Sequence, residues 1–197
     1  MSQIAISGNA SGTGTLTIAA PNTNSNRTLT LPDGTGTFTV NGVNSNIVSG
    51  TAQASTSGTS IDFTSIPSWV KRITVMFNEV STNGASNRLV QIGSGSVTTS
   101  GYVSTSTALT TSANTVSSTA GFIMWDDSAA FVLSGHMVLT LITGNTWISS
   151  HTGKVSTTQT VVGGGSIALG GTLDRVRITT VNGTDAFDAG SINILYE

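Results

Sequence analysis

Apolar residues in this chain recur at every second position, with threonine or another polar residue between them. Thr15-Leu16-Thr17-Ile18, Thr28-Leu29-Thr30-Leu31 and Thr37-Phe38-Thr39-Val40 state the pattern three times, and residues 71–80 extend it with Ile73, Val75 and Phe77 on one face. A period of two puts alternate side chains on opposite faces of a pleated strand, and no window offers the i, i+3, i+4 spacing of an amphipathic helix. Composition agrees with a strand-only reading. Ser and Thr make up 62 of the 197 residues and Gly another 23, while only 8% are charged. β-branched threonine favours strands, and Gly and Asn supply turns. A Ser/Thr/Gly bias also marks disordered linkers, but those are poor in apolar residues. This chain is 37% hydrophobic with a mean hydropathy of +0.18. The fold class expected is all-β.

Charge and cysteine usage remove several function classes. A net charge of −2 with seven scattered Lys and Arg residues leaves no basic footprint for nucleic acid and no basic amphipathic stretch for a membrane surface, so neither is expected as a partner. There is no cysteine, hence no disulfide framework and no thiolate metal site. The opening MSQIAISG has neither the basic region nor the apolar core of a signal peptide, and no run approaches a membrane span. Any work outside a cell is expected to depend on another route of export.

Three segments follow from the distribution of large apolar residues: a Thr/Leu module over 1–45, a Ser/Gly/Asn-rich linker over 46–57, and a richer domain over 58–197. In the last, strands are predicted at 71–80, 87–93, 101–109, 115–125, 129–133, 136–143, 146–151, 155–162, 166–169, 175–181 and 191–196. Asn83-Gly84, Gly144-Asn145 and Asn182-Gly183 read as hairpin turns, the first joining 71–80 to 87–93. Pro67 in SIPSWV suits the start of a single helical turn. Strands at such short spacing, with nothing to form crossover helices, predict a β-sandwich of jelly-roll type and exclude a parallel α/β sheet.

The opening module is too poor in apolar side chains to offset the cost of ordering its own backbone. Its strands offer thin ridges of two apolar residues each, which suit an axis shared by several copies. A symmetric oligomer would pool the ridges and pair the strand edges. The expectation is an intertwined, β-prism-like homotrimeric base with Leu16, Ile18, Leu29, Leu31, Phe38 and Val40 at its seam.

SGNASGTGTLTIAAPNTNSNRTLTLPDGTGTF resembles the Thr/Leu-alternating module, ending in an LTLPD-TGT type motif, near the start of many tailed-bacteriophage fibre and virion structural proteins. IDFTSIPSWVKRITVMFNEVSTNG and LDRVRITTVNGTDAFDAGSINILYE resemble the carboxy-terminal domain that often follows it. The resemblance implies a homotrimeric virion appendage, held to other virion proteins of tail, baseplate or capsid by its amino-terminal module and displaying its carboxy-terminal domain. Virions assemble in the host cytoplasm and leave by lysis, which would account for the missing signal peptide. The short chain has no repeated shaft, which weakens a long tail fibre and favours a short fibre or a capsid-surface knob; the function expected is that of a short tail fibre adsorbing to host-surface glycan. The alternative is a capsid-bound head fibre or decoration protein with a structural role.

Chemistry-bearing motifs are scarce. There is no G-x-S-x-G, G-x-x-x-x-G-K, H-E-x-x-H or G-x-G-x-x-G, and the clustered glycines of VVGGGS lack the strand-to-helix setting of a phosphate cradle. Asp126 and Asp127 are adjacent, so on a strand they face opposite ways and make no acid/base pair. The chain is therefore expected to be no enzyme, to use no cofactor and to hold no metal. Asp185 and Asp188 in a turn-rich stretch, and His136 and His151, are read as structural or surface residues. The candidate glycan contact is Trp125 with Asp126 and Asp127, together with Trp147 near Asn145, since aromatic faces flanked by Asp or Asn stack on sugars. The competing reading of both tryptophans is core packing, and Trp69 is expected in the core at the neck.

Overall fold

The computed structural model describes residues 47–110 and 112–197, with short pieces at 11–13, 24–26 and 28. The chain divides into two units, Met1–Gly42 and Val43–Glu197. The prism-like module and its seam residues Leu16, Ile18, Leu29, Leu31, Phe38 and Val40 lie outside the described residues.

The second unit is all-β, with no helix among the described residues. Its first seven strands are β1 (Val48–Ser49), β2 (Gln53–Ala54), β3 (Ile61–Thr64), β4 (Arg72–Thr82), β5 (Arg88–Ser94), β6 (Ser96–Val97) and β7 (Val103–Leu109). The others are β8 (Asn114–Ser118), β9 (Phe122–Met124), β10 (Leu133–Thr143), β11 (Thr146–Lys154), β12 (Thr160–Ala168), β13 (Arg175–Thr180) and β14 (Phe187–Tyr196). They form two antiparallel sheets. The larger runs β1-β14-β4-β10-β11-β12-β7-β8, with β2 also on β14; the smaller runs β3-β13-β5-β6, with β9 also on β5.

Period-two alternation decides which face of each strand is buried. Ile73, Val75 and Phe77 of β4, Met137 and Leu139 of β10, and Ile192 and Ile194 of β14 join Val90, Ile92, Val176 and Ile178 of the smaller sheet in one core. Tyr102 anchors that core: its ring meets Phe122 edge-on at 5.0 Å, and its hydroxyl accepts from Ile92 N at 2.8 Å. Burial pushes this phenol up to about 12.

Several local expectations are corrected. β4 and β5 do not pair across Asn83-Gly84. β4 lies between β14 and β10, and β5 lies between β13 and β9, so the turn carries the chain from one sheet to the other. Asn182-Gly183 likewise joins β13 to β14 across sheets, and only Gly144-Asn145 closes a hairpin, between β10 and β11. Asn-Gly fixes a reversal of the chain, whereas pairing is decided by which apolar faces share a core. The strand predicted over 115–125 is two strands, β8 and β9, broken at Thr119–Gly121 so that each lies in a different sheet. Residues 129–133 are mostly loop, as are 155–159, while 160–162 run on through 163–165 to 168 as the single strand β12. The linker expected over 46–57 holds β1 and β2, both paired to β14, and Ser55 is fully buried, its Oγ donating to Ala189 O at 2.8 Å. SIPSWV makes a tight turn closed by Val70 N donating to Pro67 O at 3.1 Å.

The Ser/Gly excess has a particular use beneath β9. This short strand crosses the inner face of the larger sheet, where Ser104 Oγ accepts from Ile123 N at 2.9 Å and Ser106 Oγ from Trp125 N at 3.0 Å. Hydroxyls of β7 thus satisfy the backbone donors on the edge of β9 that β5 leaves unpaired. Gly163 and Gly165 of β12 face Ser106 and Ser104 in register. A Cβ at Gly163 would lie 2.3 Å from Thr105 O and 2.5 Å from the His151 ring.

Candidate functional site

The five residues predicted to meet glycan do not form one surface. Trp147 points inward from β11 and is 2% exposed, and Trp125, just past β9, is 4% exposed with its ring 5.7 Å from Phe131. Both fill the core, so neither offers a face for a sugar. Asp126 is buried as well, its Oδ2 2.6 Å from Arg88 Nη1, while Asp127 is exposed. Asp127 sits in the loop before β10 and Asn145 in the hairpin after it, where its carbonyl accepts from Leu169 N at 3.0 Å. An eleven-residue strand stands between those two loops. At about 3.4 Å per residue it separates them by more than about 30 Å.

The Arg88–Asp126 pair is structural. Arg88 also donates through Nη2 to Val80 O and Phe131 O, both at 3.2 Å, and Asp126 N donates to Asn87 Oδ1 at 2.7 Å. Burial pushes the Asp126 carboxyl up to about 6, against the pull of the Arg88 guanidinium, and burial lowers Arg88 itself. His151 is likewise internal: its Nε2 lies 2.9 Å from Ser106 Oγ, and burial lowers the imidazole to about 4. His136 is exposed on the outer face of β10. Asp185 accepts from Ser86 N at 3.0 Å and from Asn182 Nδ2 at 2.6 Å, and Asp188 accepts from Ser81 Oγ. Among the described residues no three His, Asp or Glu side chains converge to hold a metal ion.

The exposed aromatic site lies elsewhere. Trp69, expected in the core, is 47% exposed, with its ring centroid 5.9 Å from that of Tyr196 at a tilt of 48°. The tight turn explains the exposure: Ile66 and Val70 are both buried, and the residues between them are carried outward. Tyr196 also lines a shallow cleft of about 270 Å³ with Thr51, Gln53, Asp62, Ser65 and Ile194. The cleft opens where the β1–β14 edge of the larger sheet stands over β3 of the smaller.

Its polar groups are held in place. Arg177 grips Asp62 with two parallel bonds, Nε to Oδ1 at 2.7 Å and Nη2 to Oδ2 at 2.8 Å, from the position directly opposite on β13. That hydrogen-bonded carboxylate raises the guanidinium pKa. Gln53 Nε2 donates to Asp62 O at 2.8 Å, leaving its own amide oxygen as an acceptor. Ser65 has φ of 61°, an uncommon conformation for a non-glycine residue, and is exposed. An aromatic face beside hydroxyls, an amide and a neutralised ion pair suits uncharged polyhydroxylated ligands. Neither Trp69 nor Tyr196 stood out from periodicity; the signal available was an aromatic residue inside a proline turn between two core anchors. Compared with known families, curated proteins and solved structures, the chain matches none.

Proposed function

We propose that this chain is a non-enzymatic, homotrimeric bacteriophage virion fibre or knob, whose displayed domain meets host-surface glycan at the cleft beside Trp69 and Tyr196. In this reading the two sheets are the jelly-roll-like tip and residues 1–45 the prism-like base that joins it to other virion proteins. The observation that carries it is the half-exposed Trp69 leaning on Tyr196 at a hydroxyl-rimmed cleft, in a domain that buries Trp125 and Trp147. Leaving an indole in water forgoes burial worth about 2 kcal/mol, a cost that recognition would offset.

Most of the described aspartates are engaged within the fold, which favours binding over reaction. Asp62, Asp126 and Asp174 each hold an arginine, and Asp185 and Asp188 hold amide or hydroxyl donors. The full chain should therefore bind host cells and compete with phage adsorption, and Trp69→Ala should weaken that binding by about tenfold or more while the fold is retained. Full chain that decorates capsids and leaves adsorption untouched would favour the decoration role instead.

A further inference from the structure

We infer that the outer face of the larger sheet is a contact surface for a second copy of this chain. Alternation turns a set of side chains on β7, β12, β11, β10, β4 and β14 away from the core, and the paired registers line them up in rows across the sheet. A solvated sheet face normally carries charge, which keeps it soluble and unpaired. The middle rows of this one do not. They are mainly Thr, Ser and aliphatic residues, with Val103 71% and Ile148 40% exposed, Val138, Val162, Met76 and Leu195 partly so, and His136 between Thr152 and Met76. Fixed charge lies at the margins, where Arg72 and Glu197 pair at 3.1 Å at one corner and Lys154 ends β11.

Size and composition identify the occupant. Six strands about 4.8 Å apart and about eight residues deep present on the order of 800 Å². That equals the roughly 800 Å² per partner of a standard stable interface. Depletion of charge from the centre is a mark of an interface core. Middle rows without fixed charge also let a second copy cover the face without burying an unpaired ion. The inference concerns the self-association in the proposed function and is independent of glycan binding.

The chain has no cysteine, so single introduced thiols report coverage cleanly. In the full chain, Ser150→Cys at the centre of the face should react with a maleimide at least about tenfold more slowly than Ser57→Cys in an exposed loop, with light scattering showing an oligomer. Adding Ile148→Glu should bring the Ser150→Cys rate up to that of the loop thiol. An oligomer in which both thiols react equally fast would overturn the inference while leaving trimerisation through the base intact. Slow labelling in a monomer, or slow labelling that survives Ile148→Glu in a folded chain, would assign the cover to something other than a second copy and overturn it too. Fast labelling in a monomer would overturn both this and the trimer.

Discussion

Burying Arg88 against Asp126 takes two charges out of water, and four further hydrogen bonds around the pair, among them Ser128 N to Asp126 Oδ1 at 3.3 Å, offset part of that cost. Removing one partner strands the other. Arg88→Met should lower stability by roughly 3 kcal/mol in urea unfolding, because it leaves the buried carboxylate unpaired, and adding Asp126→Leu should recover much of the loss. A loss under about 1 kcal/mol for the single change would mean the pair is already hydrated.

His151 sets a pH dependence of its own. Its folded pKa of about 4 lies below its ordinary 6.5, so the unfolded chain takes up the proton first as pH falls. Its contribution to stability is present above pH 6.5 and is lost between 6.5 and about 4. Asp126 has the opposite sign: with a folded pKa of about 6 against 3.8, the cost of its buried carboxylate is relieved as pH falls through that window. The two partly cancel in the wild-type chain, and comparison with His151→Gln separates them. Between pH 7 and pH 4 the wild type should lose roughly 3 kcal/mol more than the variant. Parallel pH curves would contradict a buried neutral imidazole. Sequence reasoning put His151 among structural or surface residues and Asp126 in a glycan contact; their burial was not legible because the partners, Ser106 and Arg88, are 45 and 38 positions away.

Among the elements, β12 shows most plainly what the Gly and Ser excess does. Gly163-Gly164-Gly165 looked like a loop segment, yet it is the middle of a nine-residue strand whose missing side chains let β7 and the His151 ring close over it. Gly163→Ala should cost about 2 kcal/mol or more, because the added methyl meets backbone as well as the ring. Gly170→Ala, with open space around it and no left-handed backbone, should change stability by less than about 0.5 kcal/mol. Equal effects on thermal unfolding would refute the packing account. Strands such as β4, β7, β10 and β13 were legible because alternation is a local property. Pairing was not, since the Asn-Gly turns at 83–84 and 182–183 look alike whether they close a hairpin or pass between sheets.

For the whole molecule, two antiparallel sheets around one core leave two surfaces to explain: the cleft lined by Tyr196, whose ring Trp69 meets, and the charge-poor outer face of the larger sheet. The all-β class was readable from period two and composition. The cleft was not, because it joins β2 and β3 to β14, which lies more than a hundred residues further along the sequence and meets them only after folding. The tryptophans beside Asp and Asn were the conspicuous ones, and the fold needed them inside. The decisive measurement is binding of the full chain and of Trp69→Ala to an array of bacterial surface polysaccharides. The account predicts that the full chain binds at least one neutral polysaccharide and that Trp69→Ala, still folded, loses that binding by about tenfold or more. Binding that is unchanged in Trp69→Ala, or no binding by the full chain, would contradict it.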